Sequence, residues 1–288
     1  MAGAILRGSG FPPEQMGICP AMTAIRSILL NIAFYTNLIV RMIVLSPAFF
    51  LAKRKKAWKI PKDWAASSTW LMDKIAGATF EIEGLENLPE GGFIFAPKHQ
   101  SFWDTFMLLP YLDDAVFILK RELTWIPLFG QYVNKMRMIP VNRAARGKAM
   151  TQVLDRTRRE MEKGRQLIIY PEGTRRPPGA EPVYRYGIAR LYRDLQVPVV
   201  PCVMHPGLFW PRRKFLRFPG HFKVRILEPI QPGMDPDAFF AQLTETMERE
   251  SDKLLLETVR ANPHIPLPEV TKKRVAELEA AERATTAG

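Results

Sequence analysis

The sequence predicts an α/β fold, with a largely parallel sheet flanked by helices and preceded by an N-terminal membrane-associated helix or helix pair. Short apolar runs of the kind found in buried strands alternate with longer segments of helical spacing. An apolar stretch near the N-terminus is followed by a dense basic cluster. The chain has 288 residues, 47% of them hydrophobic, which is enough to bury a large core.

The N-terminal region divides into two parts. Residues 1–20 are polar and rich in Pro and Gly, so we expect them to be disordered. Residues 21–59 are predicted to be a membrane-anchoring helical segment with a basic flank. Its apolar run, 27–52, is closed by the cluster Lys-Arg-Lys-Lys-Ala-Trp-Lys over 53–59. A cleaved signal peptide would instead end in a small-residue cleavage site.

The apolar run could span the membrane or lie in its interface. A spanning helix would place Arg41 near the middle of the bilayer, at a cost of about 3 kcal/mol or more. The uncharged runs on each side of Arg41 are shorter than a full span. Thr23, Arg26 and Asn37 fall on the same side of the helix as Arg41 and make a polar stripe. The sequence therefore favours interfacial attachment, with the basic cluster and Trp58 at anionic headgroups on the cytoplasmic side.

The rest of the chain alternates between helical and strand patterns. Helical spacing covers residues 64–76, 105–112, 146–163, 186–195 and 235–260. Strand patterns cover 80–84, 93–96, 116–119, 167–170, 197–203 and 221–227. We expect one α/β domain over residues 60–262, followed by a charged C-terminal tail over 263–288.

The charge balance indicates polyanionic partners. There are 41 Lys and Arg against 29 Asp and Glu, a formal net charge of +12. Nucleic acid, an anionic membrane and phosphorylated substrates all fit such a surplus. A nucleic-acid site over 143–165 is one alternative, but the acidic residues within that stretch favour a solvated helix. The two cysteines are far apart, and His205, His221 and His264 show no ligand spacing, so neither a disulfide framework nor a metal is predicted.

The first chemical motif follows the strand at 93–96. His99 lies just past this strand and Asp104 lies where the next helical pattern begins. A loop before a helix start can return the carboxylate to the imidazole. A carboxylate on one ring nitrogen fixes the tautomer and leaves the other nitrogen to accept a proton. The alternative is a structural histidine beside a helix-capping aspartate.

Two further motifs also follow strands. Glu172, Gly173, Thr174 and Arg175 come after the strand at 167–170; the glycine permits a close backbone approach and the arginine offers a donor fork suited to phosphate. Lys120 follows the strand at 116–119 and could pair with a phosphate. Solvated surface turns are the alternative for both motifs.

Together these motifs resemble the glycerolipid acyltransferase family, in particular the bacterial 1-acyl-glycerol-3-phosphate acyltransferases. The resemblance covers about residues 60–230 and includes four motifs in family order. They are His99 with Asp104, then Lys120 with Leu123, Pro127 and Gly130, then Glu172 to Arg175, and then the Val-Pro-rich run 197–201. The chain departs from the pattern at Lys98, where Asn is common, and at Tyr170, where Phe is frequent.

The resemblance implies transfer of a fatty acyl group to the sn-2 hydroxyl of lysophosphatidic acid, giving phosphatidic acid. His99 would be the catalytic base and Asp104 its orienting partner. Lys120 and Arg175 would bind the substrate phosphate, with Glu172, Gly173 and Thr174 also in the substrate site. No bound cofactor is implied, because acyl-CoA or an acyl carrier protein thioester is the co-substrate.

The same resemblance implies the setting of the reaction. The expected partners are lysophosphatidic acid, anionic membrane lipids and an acyl carrier protein, and no nucleic acid. The expected location is the cytoplasmic face of the inner membrane. Another lyso-lipid acceptor, such as a lyso-ornithine lipid, stays open, as does a hydrolase that cleaves acyl thioesters. Ser101 is the alternative nucleophile, although capping a helix is its simpler role.

Overall fold

The computed structural model describes residues 19–141 and 148–287. The predicted disorder of residues 1–20 concerns a segment that lies almost wholly outside these ranges. Seven strands form one sheet in the order β1-β7-β6-β2-β5-β3-β4. The strands are β1 Ala78–Glu83, β2 Phe93–Pro97, β3 Ala115–Lys120, β4 Ile139–Val141, β5 Gln166–Ile168, β6 Val199–Met204 and β7 Gly220–Ile226.

All neighbouring strands are parallel except β6 and β7, which confirms the predicted largely parallel sheet. The three neighbouring strands β2, β5 and β3 are in register with one another. Phe95 of β2 pairs with Ile168 of β5, which also pairs with Phe117 of β3. Because these strands run in the same direction, the residues that follow them meet at one edge of the sheet.

Helices cover both faces of the sheet. They are α1 Pro20–Val44, α2 Ser46–Leu51, α3 Arg54–Ala57, α4 Lys59–Leu71, α5 Phe129–Lys135, α6 Lys148–Met161, α7 Gly187–Leu195, α8 Pro236–Ala261 and α9 Glu269–Ala287. A single π-helical turn, Met72–Ala76, extends α4. Helix α9 packs on the domain: Val275 is buried, and the Thr271 hydroxyl donates to the Pro178 carbonyl. The first half of the segment predicted to be a charged tail is therefore packed on the domain, while residues 280–286 are exposed.

The side chains of strand β2 alternate between two apolar cores, one on each face of the sheet. Phe93 and Phe95 point into a core shared with α1 and α4. Ile94 and Ala96 point into a core shared with α6, α7 and α8. Side chains alternate between the faces of an extended segment, so the residues directly after β2 are also directed to opposite sides.

Helix α1 buries one side against the domain and exposes the other. Thr23, Ser27, Leu30 and Phe34 form its buried line. The exposed side is apolar, and it carries Met22, Ile25, Ile28, Leu29, Ile32, Ile39, Val40, Ile43 and Val44. By length and composition α1 could cross a membrane. This apolar surface suggests membrane association.

The polar stripe of α1 faces protein. Asn37 donates to the hydroxyls of Ser67 and Ser68 on α4, and Arg41 donates to the Asn37 side chain. Two residues of the basic cluster are also committed to protein contacts. Arg54 and the Trp58 indole donate to the carboxylate of Asp114. The expectation that Trp58 touches headgroups is therefore wrong, because the ring is buried in an ion cluster.

Three differences from the predicted elements have local causes. Residues 105–112 are not an α-helix but contain part of one 3-10 turn, Trp103–Thr105, and all of a second, Leu109–Tyr111, because Pro110 cannot continue a helix. Strand β4 was missed because its three residues are too few to show a period. Helix α5 was missed because it has only seven residues.

Candidate active site

His99 and Asp104 are in contact. His99 Nδ1 lies 2.9 Å from Asp104 Oδ1, and the aspartate side chain is fully buried. The other carboxylate oxygen, Oδ2, accepts the backbone N–H groups of Gln100 and Ser101, each at 2.7 Å. The loop closes on itself in this way, so the carboxylate reaches back to the ring. A proton on Nδ1 is then shared with the carboxylate, and Nε2 carries the lone pair.

The imidazole is held flat and leaves one nitrogen available. The Tyr170 ring stacks on it, with centroids 3.9 Å apart and planes 21° apart. Burial raises the pKa of Tyr170, so its hydroxyl stays protonated and donates to the Asp104 carbonyl at 3.2 Å. Within residues 19–141 and 148–287, no protein group is hydrogen-bonded to Nε2 of His99. This nitrogen is therefore free to accept a proton from a substrate.

Glu172 supports the backbone of His99. Its Oε2 accepts the His99 N–H at 2.8 Å, and its Oε1 lies 3.4 Å from the ammonium of Lys98. The side chain is 3% exposed. Burial raises its pKa, while Lys98 and the His99 N–H act in the opposite direction. Both oxygens are thus committed within the protein, and neither contacts Arg175.

A second buried group lies behind the catalytic segment. Gln100 Nε2 is 3.0 Å from His205 Nδ1, and His205 Nε2 is 2.9 Å from the Ser251 carbonyl on α8. Burial lowers the pKa of His205 to about 4, so the ring is neutral near pH 7. The carbonyl requires a proton on Nε2; Nδ1 therefore accepts from the Gln100 amide.

The predicted phosphate ligands lie at the same edge of the sheet. Lys120 ends β3 and is exposed. Arg175 follows the β5 turn and is half-buried, and its guanidinium has no hydrogen-bond acceptor among the described residues. Gly173 takes φ +69° in the turn closed by its N–H on the Tyr170 carbonyl at 2.9 Å, and Thr174 is exposed. Lys120 and Arg175, which have no acidic partner among residues 19–141 and 148–287, fit a phosphate.

The turn that follows Lys120 depends on a glycine. A β-carbon at Gly130 would lie 2.0 Å from the Thr124 carbonyl oxygen, so only glycine fits there. The loop exposes Trp125 and Ile126, which lie between Lys120 and this glycine. Apolar side chains thus accompany the predicted phosphate ligand on the protein surface.

The alternative nucleophiles are engaged or buried. The Ser101 hydroxyl donates to the Trp210 carbonyl at 2.8 Å and accepts the Trp103 N–H at 3.2 Å. It has no exposed surface. Cys202 is also buried, and burial raises the pKa of its thiol. These positions suit structural roles, because a nucleophile must reach the substrate.

The basic stretch considered for nucleic acid is only partly available. Residues 142–147 lie outside the described residues. Arg165 is fully buried, and its guanidinium donates to Asp114, Glu160 and three backbone carbonyls. This arginine therefore cannot contribute to a surface for phosphate backbones.

Sequence reasoning missed the groups that support the dyad from behind. Lys98 and Gln100 flank His99 and are directed to the face of the sheet covered by α8, where Glu248 and His205 meet them. The alternation of an extended segment could have placed Lys98 and Gln100 on that face. Their partners are 150 and 105 positions away, so the sequence carried no signal for them.

Comparison with known proteins agrees with the site. The family model described as Acyltransferase matches residues 79–205, which include all four motifs. The 1-acyl-sn-glycerol-3-phosphate acyltransferase of Pseudomonas aeruginosa is 29% identical over 226 residues, which cover 77% of this chain and 88% of the relative. A chloroplastic protein of the same description from Arabidopsis thaliana is 30% identical over 237 residues, 80% of this chain and 65% of the relative.

A solved structure has the same fold. The crystal structure of the 1-acyl-sn-glycerophosphate acyltransferase PlsC from Thermotoga maritima aligns with a TM-score of 0.68 and 24% identity. The alignment covers 81% of this chain and 97% of that one. The fold, the motifs and the relatives therefore agree: the chain is an O-acyltransferase whose residues 79–205 match the Acyltransferase family model.

Proposed function

We propose that this enzyme transfers a fatty acyl group from a thioester donor to the sn-2 hydroxyl of 1-acyl-glycerol-3-phosphate, giving phosphatidic acid for phospholipid synthesis. The observation that carries the proposal is the His99–Asp104 pair, with Nε2 unpaired within the described residues. Arg175 and Lys120 at the same sheet edge supply charge for the acceptor's phosphate. The relatives named for this reaction support the same acceptor.

The reaction proceeds by direct attack. Nε2 of His99 takes the proton of the acceptor hydroxyl while its oxygen bonds to the thioester carbonyl carbon. Asp104 stabilises the imidazolium that forms. The tetrahedral intermediate then collapses, the carbon–sulfur bond breaks, and His99 returns the proton to the thiolate. No acyl-enzyme is required, because the Ser101 hydroxyl and the Cys202 thiol are buried.

The enzyme acts at the membrane surface. The exposed apolar side of α1 would enter the cytoplasmic leaflet of the inner membrane without spanning it. Lys53, Lys55 and Lys56, which stay exposed beyond α2, would meet anionic headgroups. Attachment of this kind brings the enzyme to a lipid acceptor, while the donor arrives from the cytoplasm as acyl-CoA or on an acyl carrier protein.

An assay with purified protein in mixed micelles tests this function. Lysophosphatidic acid, other lysophospholipids and a lyso-ornithine lipid would each be offered with acyl-CoA and with acyl carrier protein thioester. We expect phosphatidic acid to form fastest, and His99→Ala to lower kcat by a factor of about 100 to 10,000, because it removes the general base. His221→Ala, which changes an exposed histidine, is the control and should leave kcat unchanged.

Three outcomes would contradict the proposal. Faster product formation from another lyso-lipid would overturn the acceptor. Thiol release at the full rate without any acceptor would make the enzyme a thioester hydrolase. Activity retained in His99→Ala would remove the histidine from the chemistry.

A further inference from the structure

Lys98 has an unusual environment for a lysine. Its side chain is 6% exposed, and its ammonium lies 2.5 Å from Glu248 Oε1 and 3.4 Å from Glu172 Oε1. The Tyr184 hydroxyl lies 3.4 Å from the same nitrogen. A lysine is rarely buried unless it is paired, and here one ammonium serves two carboxylates. The cluster joins three parts of the chain: the end of β2, the turn after β5, and α8.

This cluster is connected to the catalytic base through the main chain. Glu172 holds the Lys98 ammonium with one oxygen and the His99 N–H with the other. The His99 carbonyl accepts the Arg176 N–H at 2.8 Å. The backbone of His99 is therefore held on both sides, and a change in its backbone torsions that moved the ring would break these bonds.

We propose that Lys98 is a positioning residue for His99, and that Glu248 of α8 holds Lys98 in place for this role. The proposal rests on the function proposed above, in which His99 is the base. Lys98 also marks a departure of this chain from its family's pattern. Glu248 lies beyond residues 79–205, the stretch matched by the family model. The cluster thus joins Glu172, which belongs to a shared motif, to a residue outside the stretch that the family model matches.

The role of the ammonium follows from charge balance. Without it, Glu172 and Glu248 would be two carboxylates close together in a buried site, which favours protonation of one of them. A cavity of about 380 Å³ between α8, α9 and residues 177–182 reaches Lys98, Glu172 and Glu248. Its wall also carries the charged groups Glu181, Asp252, Lys273, Arg274 and Glu277. The cavity gives solvent, and therefore protons, a route to the cluster.

Charge-removing and charge-keeping variants test the proposal. Lys98→Met keeps an unbranched apolar side chain and removes the ammonium. We expect kcat to fall by up to about 100-fold, with KM for lysophosphatidic acid changed less than about twofold, because a displaced base impairs the chemical step and not binding. The acid limb of its kcat–pH profile should move to higher pH, because Glu172 takes up a proton more readily without the cation.

A second substitution separates positioning from simple destabilisation. Lys98→Met/Glu248→Gln leaves one buried carboxylate in place of two, so we expect kcat and the acid limb to move part of the way back. Lys98→Arg keeps the charge and should retain more activity than Lys98→Met. The control is Lys253→Met, which removes one of the partners of Glu250 from the exposed side of α8 and should change neither kcat nor the pH profile.

Each kcat is expressed per folded enzyme, from the circular dichroism signal of the same sample. Equal losses in Lys98→Arg and Lys98→Met, or no recovery in the double variant, would overturn positioning through charge. An unchanged kcat in Lys98→Met would overturn it as well. If the wild-type enzyme forms no phosphatidic acid, the proposed function fails. If it does and Lys98→Met is unaffected, only the positioning role fails.

Discussion

The two ends of the sheet each hold a buried ion cluster. One cluster is complete, with as many cations as carboxylates, and the other is incomplete, with fewer cations than carboxylates. At the amino ends of β3 and β5, Asp114 and Glu160 meet the guanidinium groups of Arg54 and Arg165. Partners there lower the pKa of both carboxyl groups, against the opposing effect of burial. At the carboxyl ends, a single ammonium serves two carboxylates, and burial raises the pKa of Glu172.

Two arginines show what this difference means. Arg165 is fully buried, and its donors reach two carboxylates and three carbonyls. Arg175 is half-buried, and its guanidinium has no acceptor within the described residues. Removing one partner from a completed buried cluster is costly, because a charge is left behind without a partner, while an arginine with no protein acceptor leaves charge available for a ligand. The expected effects of substitution should divide in the same way, between stability and activity.

The largest effect should come from opening the complete cluster. Arg165→Met leaves Asp114 and Glu160 buried with fewer donors, so the free energy of unfolding should fall by about 3–5 kcal/mol. The kcat of the molecules that remain folded should not change. Urea unfolding in detergent, with activity measured in parallel, checks both. Arg158→Met on the exposed side of α6 is the control. A loss of kcat at unchanged stability would reverse the assignment of this cluster.

The next effect concerns the buried histidine behind the catalytic segment. The pKa of His205 is about 4 in the folded protein against 6.5 for a free histidine. Above pH 6.5 the ring is neutral in both states. As the pH falls from 6.5 to 4, the unfolded chain binds a proton that the folded protein does not. Stability is therefore lost over that range, by about 3 kcal/mol in total.

His205→Gln should remove this loss. The difference in unfolding free energy between wild type and variant should shrink steadily from pH 6.5 to 4, because the variant has no ring to protonate. Denaturation curves at several pH values measure it. His221→Gln, at an exposed position, should follow the wild-type curve. A pH-independent difference would mean that the pKa of His205 is the same in the folded and unfolded protein and is not lowered by burial.

The smallest of the three effects should appear at the carboxyl ends of the strands, where the ion cluster is incomplete. Arg175→Ala removes a charged donor from the substrate phosphate, which corresponds to about 1.5–3 kcal/mol, or roughly a tenfold to 100-fold rise in KM for lysophosphatidic acid. Stability should hold, because no protein partner among the described residues is lost. Arg193→Ala, on the surface of α7, is the control. An unchanged KM together with a lower free energy of unfolding would mean that Arg175, like Arg165, stabilises the fold and does not bind the substrate phosphate.

Much of the fold was predictable from short patterns. The apolar runs at 93–96 and 167–170 located β2 and β5 to within a few residues, because buried parallel strands are continuously apolar. The pairing of β7, antiparallel to β6 and parallel to β1, was not predictable. Nothing local in a strand's sequence specifies which neighbour it meets. The helix predicted at 105–112 was wrong, because the interpretation gave more weight to the apolar spacing than to Pro110.

The predictions for the site divide in the same way, into local contacts that the sequence indicates and long-range contacts that it does not. Contact between His99 and Asp104 was predictable because a short loop limits how far the two can separate. The contacts of Lys98 with Glu248 and of Gln100 with His205 were not, because tertiary packing brings them together. Glu172 shows the limit of a motif. The motif located the residue, but only the structure showed that its carboxylate accepts the backbone N–H of His99.

Helix α1 lies between the loop that contains His99 and the exposed apolar surface, so it determines the distance from the reaction to the lipid. Its Phe34 packs on Phe102 of the catalytic loop, while its opposite side is exposed and apolar. A helix with its side chains is about 10–12 Å across, so the loop sits roughly one helix diameter above that apolar surface. With α1 seated in the leaflet, a lysolipid need raise only its headgroup to meet His99. The enzyme would then respond to the number of acceptor molecules per unit area of membrane, and not to their concentration in the bulk solution.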